Sequence, residues 1–416
     1  LWQSGKQFGW DCIAAFPDRK PYMGYYDEPK SEVADWEIKW MSEHGINFQT
    51  YCWFRPGGGD GTPIKNPPYA DALNDGFMDA KYSNNLKYMI MFENANSGFS
   101  GEQDFRENLV PYWIEYYFKD SRYMTINNKP VLSFFSYQRL IDVFGTRAKV
   151  KENMDWLREE CKKIGFDGAI IWVASQAMSG TQLEECGIDA YYAYNWGSQG
   201  GNPDIQKNGM IQRRNNGMDM ISTLAQGWNS EAWDGNKGSY LSIEEFTDLA
   251  KWVKNEFIPS CDDGFAKNVV MLDNWNEFGE GHFMNPSELA GFGYLDVIRD
   301  VFVTNSAHTD VKPTEHQKSR INMQYPQDRN IVVTAKGADP SKYPTEVAME
   351  WNFDNDLEGW SILTCIKSLT WENGVIHGVS NGPDPIIQSP DNLNLNLTDV
   401  THVKIRMKHA TNDTYT

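Results

Sequence analysis

Glu277 and Glu280 stand three positions apart in the run Asn274-Trp275-Asn276-Glu277-Phe278-Gly279-Glu280-Gly281-His282. Two carboxylates held side by side repel each other. That cost is tolerated where one must carry a proton while the other is ionised. Cleavage of a glycosidic bond makes this demand, because one carboxyl protonates the leaving oxygen while the other works as base or nucleophile. An isolated pair at this spacing is most often a solvated turn. Here Gly279 and Gly281 permit unusual backbone geometry, and the neighbouring Trp and Asn suit sugar binding. Glu277 and Glu280 are therefore the candidate catalytic pair, with Asn276 and His282 as candidate substrate contacts.

The pair follows a short apolar run, 268–272, that reads as a buried strand. Similar runs recur at 8–16, 46–53, 88–93, 130–137, 169–174, 190–195, 220–226 and 269–274. Amphipathic stretches at 32–44, 105–118, 150–164 and 243–257 fill several of the gaps. Alternation of strand and helix eight times predicts a (β/α)8 TIM barrel. A doubly wound open sheet is the alternative, but no nucleotide-type glycine fingerprint follows Phe16. A barrel gathers its chemistry at the C-terminal ends of its strands. Those ends carry Tyr51, Trp53, Glu93, Asn94, Asn195, Trp196 and Trp228. Trp53, Trp196 and Trp228 are expected to line the cleft as stacking platforms, with Glu93 and Asn195 contacting sugar hydroxyls. A register error of one residue would turn any of them to the opposite face.

The pattern changes after Phe302. The reading is a barrel over 1–303, a polar linker or strap over 304–345, and a smaller all-β sandwich over 346–416. The last module shows short alternating runs at 349–353, 361–363, 374–379, 386–388 and 403–407, and it reads as incomplete. Asp354, Asp356 and Glu358 have the side chains of a calcium loop, although a solvated turn is the plainer reading.

Composition excludes several classes. A net charge of -19 over 416 residues argues against nucleic acid and anionic membranes as partners. No apolar run is long enough to span a bilayer as a helix. Sixteen Trp are either a Trp-rich core or a set of sugar platforms. The cysteines are scattered with no CxxC, so buried thiols are expected rather than a disulfide framework. The histidines form no HExxH, so no metal or other cofactor is expected. The glycine-rich loop 55–62 lacks the Lys-Ser/Thr ending of a phosphate cradle and reads as a loop over the cleft. No Gly-x-Ser-x-Gly elbow occurs. The chain begins at Leu1 rather than Met, as a processed product would, and a secreted, periplasmic or cell-surface location is expected.

Over Trp275-Asn276-Glu277-Phe278-Gly279-Glu280-Gly281 the chain resembles glycoside hydrolase family 99 and its family 99-like (WbsX-type) relatives. Gly24-Tyr25-Tyr26-Asp27, Gly45-Ile46-Asn47-Phe48, Gln226-Gly227-Trp228-Asn229 and Gly293-Tyr294-Leu295 extend the likeness over most of the barrel region. The tail from Trp351 resembles carbohydrate-binding β-sandwich modules. The resemblance implies a polysaccharide or oligosaccharide substrate and retaining, endo-acting cleavage of α-mannosidic linkages. It further implies that Glu277 deprotonates the substrate's own 2-hydroxyl, whose oxygen attacks the anomeric carbon to give a 1,2-anhydro sugar. Glu280 would protonate the leaving oxygen and then activate water. The mannosidases carry Trp-His where this chain has Phe278-Gly279. A non-catalytic carbohydrate-binding barrel and a glycosyltransferase of polysaccharide synthesis are the competing readings.

Overall fold

The computed structural model describes residues 10–55, 64, 67, 70–304, 308–321, 349–381, 385–391 and 393. They fall into two compact units, one carrying the described residues up to 321 and the other those from 349.

The first unit is built on parallel strands. Phe48–Trp53 (β1), Lys87–Phe92 (β2), Lys129–Ser136 (β3), Ile170–Ser175 (β4) and Ala190–Tyr191 (β5) lie side by side in chain order. A parallel bridge from Tyr191 to Met220 leads on to Ser222–Ala225 (β6), which pairs in parallel with Val270–Asp273 (β7). Helices Ser31–Glu43, Arg147–Lys163, Pro203–Asn215 and Ile243–Trp252 are among those that return the chain between strands. Parallel neighbours joined through helices are the (β/α)8-barrel architecture the alternation predicts. The strands are apolar on both faces, as Val131, Leu132, Phe134, Ile170, Ile171 and Val173 show, because helices cover one side and the barrel core the other. Strand-to-helix turns are sharp: the Ser136 hydroxyl accepts from the Arg139 N–H at 3.1 Å, and helix Tyr137–Phe144 starts at once.

One expected strand is not there. Within 8–16, residues 8 and 9 lie outside the described residues, and Asp11–Ala14 is a short helix. Its apolar run is too brief for periodicity to separate strand from helix. Trp10 and Ile13, three apart, are buried, whereas Ala14 and Ala15 are exposed.

Alternation along β1 also corrects two site expectations. Tyr51 lies against Phe77 and Tyr88, with ring centroids 5.9 and 6.5 Å away. Trp53 is 1% exposed, packs 5.5 Å from both Phe92 and Trp113, and donates its indole N–H to the Tyr117 hydroxyl at 3.1 Å. Trp53 fills the space between the strands and the helical layer and is no sugar platform, and Tyr51, half-buried, turns to the same side. Cys52, between them, takes the opposite face. Trp10, Trp40, Trp53, Trp113 and Trp172 are among the largest fully buried side chains, so much of the Trp content is core.

Residues 308–321, in the segment read as a strap, lie on helix Ser31–Glu43. The Trp40 indole donates to Val311 O at 3.0 Å, and the Asp27 N–H donates to Ile321 O at 2.9 Å. The second unit is antiparallel β. Ser361–Thr364 pairs with Ile386–Gln388, and Ile366–Glu372 forms a hairpin with Val375–Ser380. Residues 349–353 form no strand, and 403–407 lie outside the described residues. The Glu358 N–H donates to Asp356 at 2.6 Å and the Asp354 N–H to Glu358 at 3.3 Å, so these acids bond their own turn.

Trp53→Ala removes a large buried ring and one hydrogen-bond donor to the Tyr117 hydroxyl. The expected loss is about 3–5 kcal/mol of unfolding free energy, read from urea denaturation. A midpoint equal to wild type would place Trp53 outside the core.

Candidate active site

The acid pair sits on a hairpin that grows from the end of β7. The Met284 N–H bonds Asn274 O at 2.7 Å, the Asn285 N–H bonds Trp275 O at 2.9 Å, and Glu277 bridges His282 antiparallel. The chain therefore rises through 274–277, turns through 278–281 and descends through 282–285. Gly281 makes the turn possible. Its φ is +73°, and a Cβ there would meet Asn229 O at 1.9 Å. Phe278 is fully buried against Phe283 and Trp10, at 4.5 and 5.5 Å between ring centroids. Arg19, 1% exposed, donates to Phe278 O at 3.2 Å. The peptide Asp273–Asn274 is cis.

His282 is fully enclosed and links two acidic side chains. Its Nδ1 lies 2.5 Å from Asp273 Oδ1 and its Nε2 lies 3.1 Å from Glu280 Oε2. Both nitrogens face carboxylates, so both donate and the ring is an imidazolium. Burial works against its charge, but Asp273 and Glu280 outweigh it and push the pKa up to about 10. Asp273 is held above the usual carboxylate range by burial, with His282 pulling the other way. Glu277 is pushed up to about 7 by burial and by the adjacent Glu280 charge. Glu280 keeps a side-chain exposure of 22%, which leaves it open to a ligand. The expectation that His282 touches substrate is corrected: at 0% exposure it stands behind Glu280 and positions it.

A second polar group braces the hairpin's other flank. The Asn276 amide donates to Glu28 Oε1 at 2.6 Å, so its NH2 is committed to the scaffold. The Asn285 amide donates to the Tyr26 hydroxyl and to Glu37 Oε1, both at 3.3 Å. Burial pushes Glu37 up to about 8, against the pull of the Trp275 indole and the Tyr26 hydroxyl. Glu37 is therefore mostly neutral at pH 7.

The remaining strand-end candidates divide. The Trp228 ring lies 4.3 Å from the His282 ring, and Tyr194 meets it edge-on at 5.8 Å. These two aromatics flank the acid pair's histidine. Trp196 does not join them. Its indole N–H donates to Thr223 O at 3.1 Å and its ring lies beneath Arg213 and against Gly209, on helix Pro203–Asn215. Asn94 is fully buried and ties strand ends together, donating to Ser136 O at 2.9 Å and accepting from the Ser136 N–H at 2.7 Å. Asn195 closes its own turn by accepting from the Gly197 N–H at 3.0 Å. Glu93 is 6% exposed and accepts from the Asn96 backbone at 2.9 Å. Burial raises its pKa, and those N–H groups oppose the rise. Burial, and then the charges of Glu93, Glu277 and Glu280, push the pKa of the half-buried Cys52 well up. It is a neutral thiol, not a thiolate nucleophile.

Sequence reasoning passed over Asp273, Glu28, Glu37 and Cys52. Glu37 left a signal: it lies four residues after Val33 and four before Met41, on the buried stripe of its helix. An acid on that stripe needs a partner inside.

The parallel-stranded barrel, with a carboxylate pair at the end of its last described strand, has a glycoside-hydrolase-like fold. The chain belongs to the family described as Glycosyltransferase WbsX, whose model matches residues 16–203 and 203–298. A search of curated proteins finds no match. Among solved structures, the chain is similar to the GH99 endo-alpha-mannosidase from Bacteroides thetaiotaomicron in complex with bis-tris-propane. The two are 15% identical with a TM-score of 0.50 over 70% of this chain and 89% of that one. A second structure of the GH99 endo-alpha-mannosidase from that organism matches at 14% identity and TM-score 0.47, over 68% and 85% of the two chains. A glycoside hydrolase-like protein matches at 14% identity and TM-score 0.49, over 68% and 89%.

The His282 imidazolium links stability to pH. Its folded pKa of about 10 exceeds the ordinary value of 6.5, so its stabilisation is complete below about pH 6.5 and is lost as pH rises toward 10. Wild-type unfolding free energy, measured in urea from pH 6 to 10, should fall more steeply than that of His282→Gln. Parallel profiles would mean that His282 is neutral in the fold.

Proposed function

We propose that the barrel unit is a retaining glycoside hydrolase acting on a neutral or weakly charged polysaccharide or glycan. The observation that carries the reading is the unequal environment of two adjacent carboxylates. Glu277, half-buried, is pushed up to about 7 by burial and the adjacent Glu280 charge, whereas Glu280, also half-buried, is backed by the Asp273–His282 pair. Environments that differ in this way assign acid and base roles.

Burial makes the Glu277 carboxylate a strong base, suited to taking the proton of a substrate 2-hydroxyl. The freed 2-oxygen attacks the anomeric carbon from within the same sugar, which benefits from high effective molarity. In the reactive form the one proton held by the Glu277–Glu280 pair sits on Glu280 with Glu277 ionised, and the glycosidic bond breaks as Glu280 gives that proton to the leaving oxygen. His282 then stabilises the carboxylate left on Glu280. In the second half Glu280 takes a proton from water, the water oxygen attacks the anomeric carbon, and the 2-oxygen regains a proton from Glu277. Two displacements at one carbon give net retention. Trp228 and Tyr194, flanking His282, are the aromatic surfaces best placed to meet a sugar ring. The GH99 structures carry the name endo-alpha-mannosidase, so α-mannosidic linkages are the first substrates to offer. Phe278 faces the aromatic core, so its difference from the mannosidases does not itself alter a substrate contact.

A glycosyltransferase is the second reading, favoured by the family's description. Turnover of a nucleotide sugar, with no hydrolysis across a glycan panel, would establish it.

Glu277→Gln and Glu280→Gln should each lower kcat on a cleaved glycan by about a hundredfold or more, with circular dichroism and Tm showing both proteins folded. Near-wild-type turnover in either folded variant would remove that residue from the chemistry. NMR of the first product should show retention, and a 2-deoxy substrate should resist cleavage.

Because the reaction needs one proton on the Glu277–Glu280 pair, kcat/KM should fall as pH rises through about 7, where the pair loses it. A rise through that range would mean that the leaving oxygen takes its proton from another group.

A further inference from the structure

At the opposite end of the barrel strands, another buried histidine meets carboxylates. His44 follows helix Ser31–Glu43 and precedes β1, whereas the acid pair follows the C-terminal end of β7. His44 is fully buried. Its Nδ1 lies 2.6 Å from Trp40 O. A carbonyl can only accept, so Nδ1 carries the hydrogen, and in the neutral ring Nε2 is a bare lone pair. That Nε2 points at Asp310 Oδ1, 3.2 Å away, and Asp296 Oδ1, 3.5 Å away. His308 adds a second imidazole: its Nε2 lies 3.2 Å from the same Asp310 oxygen and 3.4 Å from Glu43 Oε2. The His44 and His308 rings pack edge to face at 5.2 Å.

None of these converging atoms makes a hydrogen bond. His44 Nε2, His308 Nε2, Asp310 Oδ1, Asp296 Oδ1 and Glu43 Oε2 are all buried without one. Lone pairs on nitrogen and on carboxylate oxygen repel at this range unless a cation lies between them. The nearby basic side chains serve the outer carboxylates of the cluster. Lys39 pairs with Glu43, and Arg299 lies 2.8 Å from Asp296 but 3.9 Å from Asp310. Asp310 is thus the carboxylate with the weakest basic partner, and it faces both imidazoles.

We propose that His44 Nε2, His308 Nε2 and Asp310 form a structural site for a divalent transition-metal ion, zinc foremost. The three ligand atoms lie within 4.8 Å of one another. Ligands at ordinary zinc distances and tetrahedral angles stand about 3.3 Å apart, close to the two 3.2 Å separations here. Two imidazoles and a carboxylate are a zinc-type donor set. The Nδ1–H bond to Trp40 O is the outer contact that fixes a metal-binding tautomer. Asp296 or water completes the coordination, and Arg299 stands behind Asp296 as counter-cation. The ion would fasten residues 308–310 to helices Ser31–Glu43 and Gly293–Phe302. It lies at the barrel end that carries stability rather than chemistry.

The test strips the full chain with a chelator and titrates it with zinc chloride by calorimetry, following Tm in parallel. The expected result is one zinc per chain and a Tm rise of about 5 °C at saturating metal. Cobalt(II) should give the intense visible bands of a four-coordinate ion. His308→Gln, at the partly exposed edge of the site, and Asp310→Asn should each weaken zinc at least about tenfold. Glu280→Gln should bind zinc as wild type does. Absence of stoichiometric uptake with an unmoved Tm would overturn the proposal. So would uptake that both His308→Gln and Asp310→Asn leave unchanged, or that Glu280→Gln abolishes.

Discussion

A buried carboxylate at the end of the last strand requires a cation, and much of the candidate site follows from how the chain supplies one. Asp273 is 3% exposed. Left alone in that setting it would have to take up a proton or open the core to water. The chain instead turns back on itself and places His282 against it at 2.5 Å. The geometry of that return is narrow. His282 comes nine positions after Asp273, the turn must pass close to Asn229, and only glycine fits at position 281. Once His282 is fixed and charged, its second nitrogen is aimed outward. Glu280 receives it at 3.1 Å and is oriented without being buried. The catalytic candidate is thereby connected to the core through a chain of charge-assisted hydrogen bonds.

The same arrangement separates the two glutamates. Glu277 is on the rising arm, across the hairpin from His282. Its side of the hairpin is braced by Asn276 on Glu28 and by Asn285 on Glu37 and Tyr26. These contacts bring more negative charge rather than relief, and Glu28 is one of the groups that raise Glu277. Glu37 avoids adding a full charge because burial keeps it largely protonated. Acids on one flank and an imidazolium on the other are a means of making two neighbouring carboxylates differ. Phe278, Trp10 and Phe283 make that contrast durable by filling the space beneath the turn with rings, so the two arms cannot slide past one another.

Residue type and spacing made the acid pair legible, and period made most of the strands legible. The readings that failed did so where local pattern carries no information. Residues 10–16 are apolar and short, and a helix with Trp10 and Ile13 inward satisfies them as well as a strand. Tyr51 and Trp53 stand at a strand end, but parity decides the face, and parity gave it to Cys52. Asn94 and Asn276 look like sugar-binding amides, yet each is committed to the scaffold, to Ser136 and Glu28. Those partners are distant in sequence, and the hydrogen bonds exist only after the strands assemble. His282 was visible as a polar neighbour of the acids, but its direction, inward to Asp273, depends on the hairpin. Trp196 and Trp228 follow similar strands and diverge for one reason: the helix Pro203–Asn215 offers Gly209 as a recess for the first ring, while the second meets His282.

The two buried histidines show how one side chain answers to its acceptors. At His282 both ring nitrogens face carboxylate oxygens at hydrogen-bonding geometry, so protons satisfy the whole arrangement and a cation of the protein's own is sufficient. At His44 the inner nitrogen is already spent on a backbone carbonyl, and the outer one meets carboxylates in directions that no hydrogen bond fits. A proton placed there would satisfy neither oxygen, whereas a metal ion accepts donors from many directions around a centre. The difference is set by what precedes each ring. His282 comes off a β-like arm whose amides are used along the hairpin, leaving both nitrogens to side chains. His44 comes off the last turn of a helix, where free carbonyls are abundant and one captures Nδ1. Local backbone thus decides whether a buried histidine offers both nitrogens to side-chain acids or only its outer one.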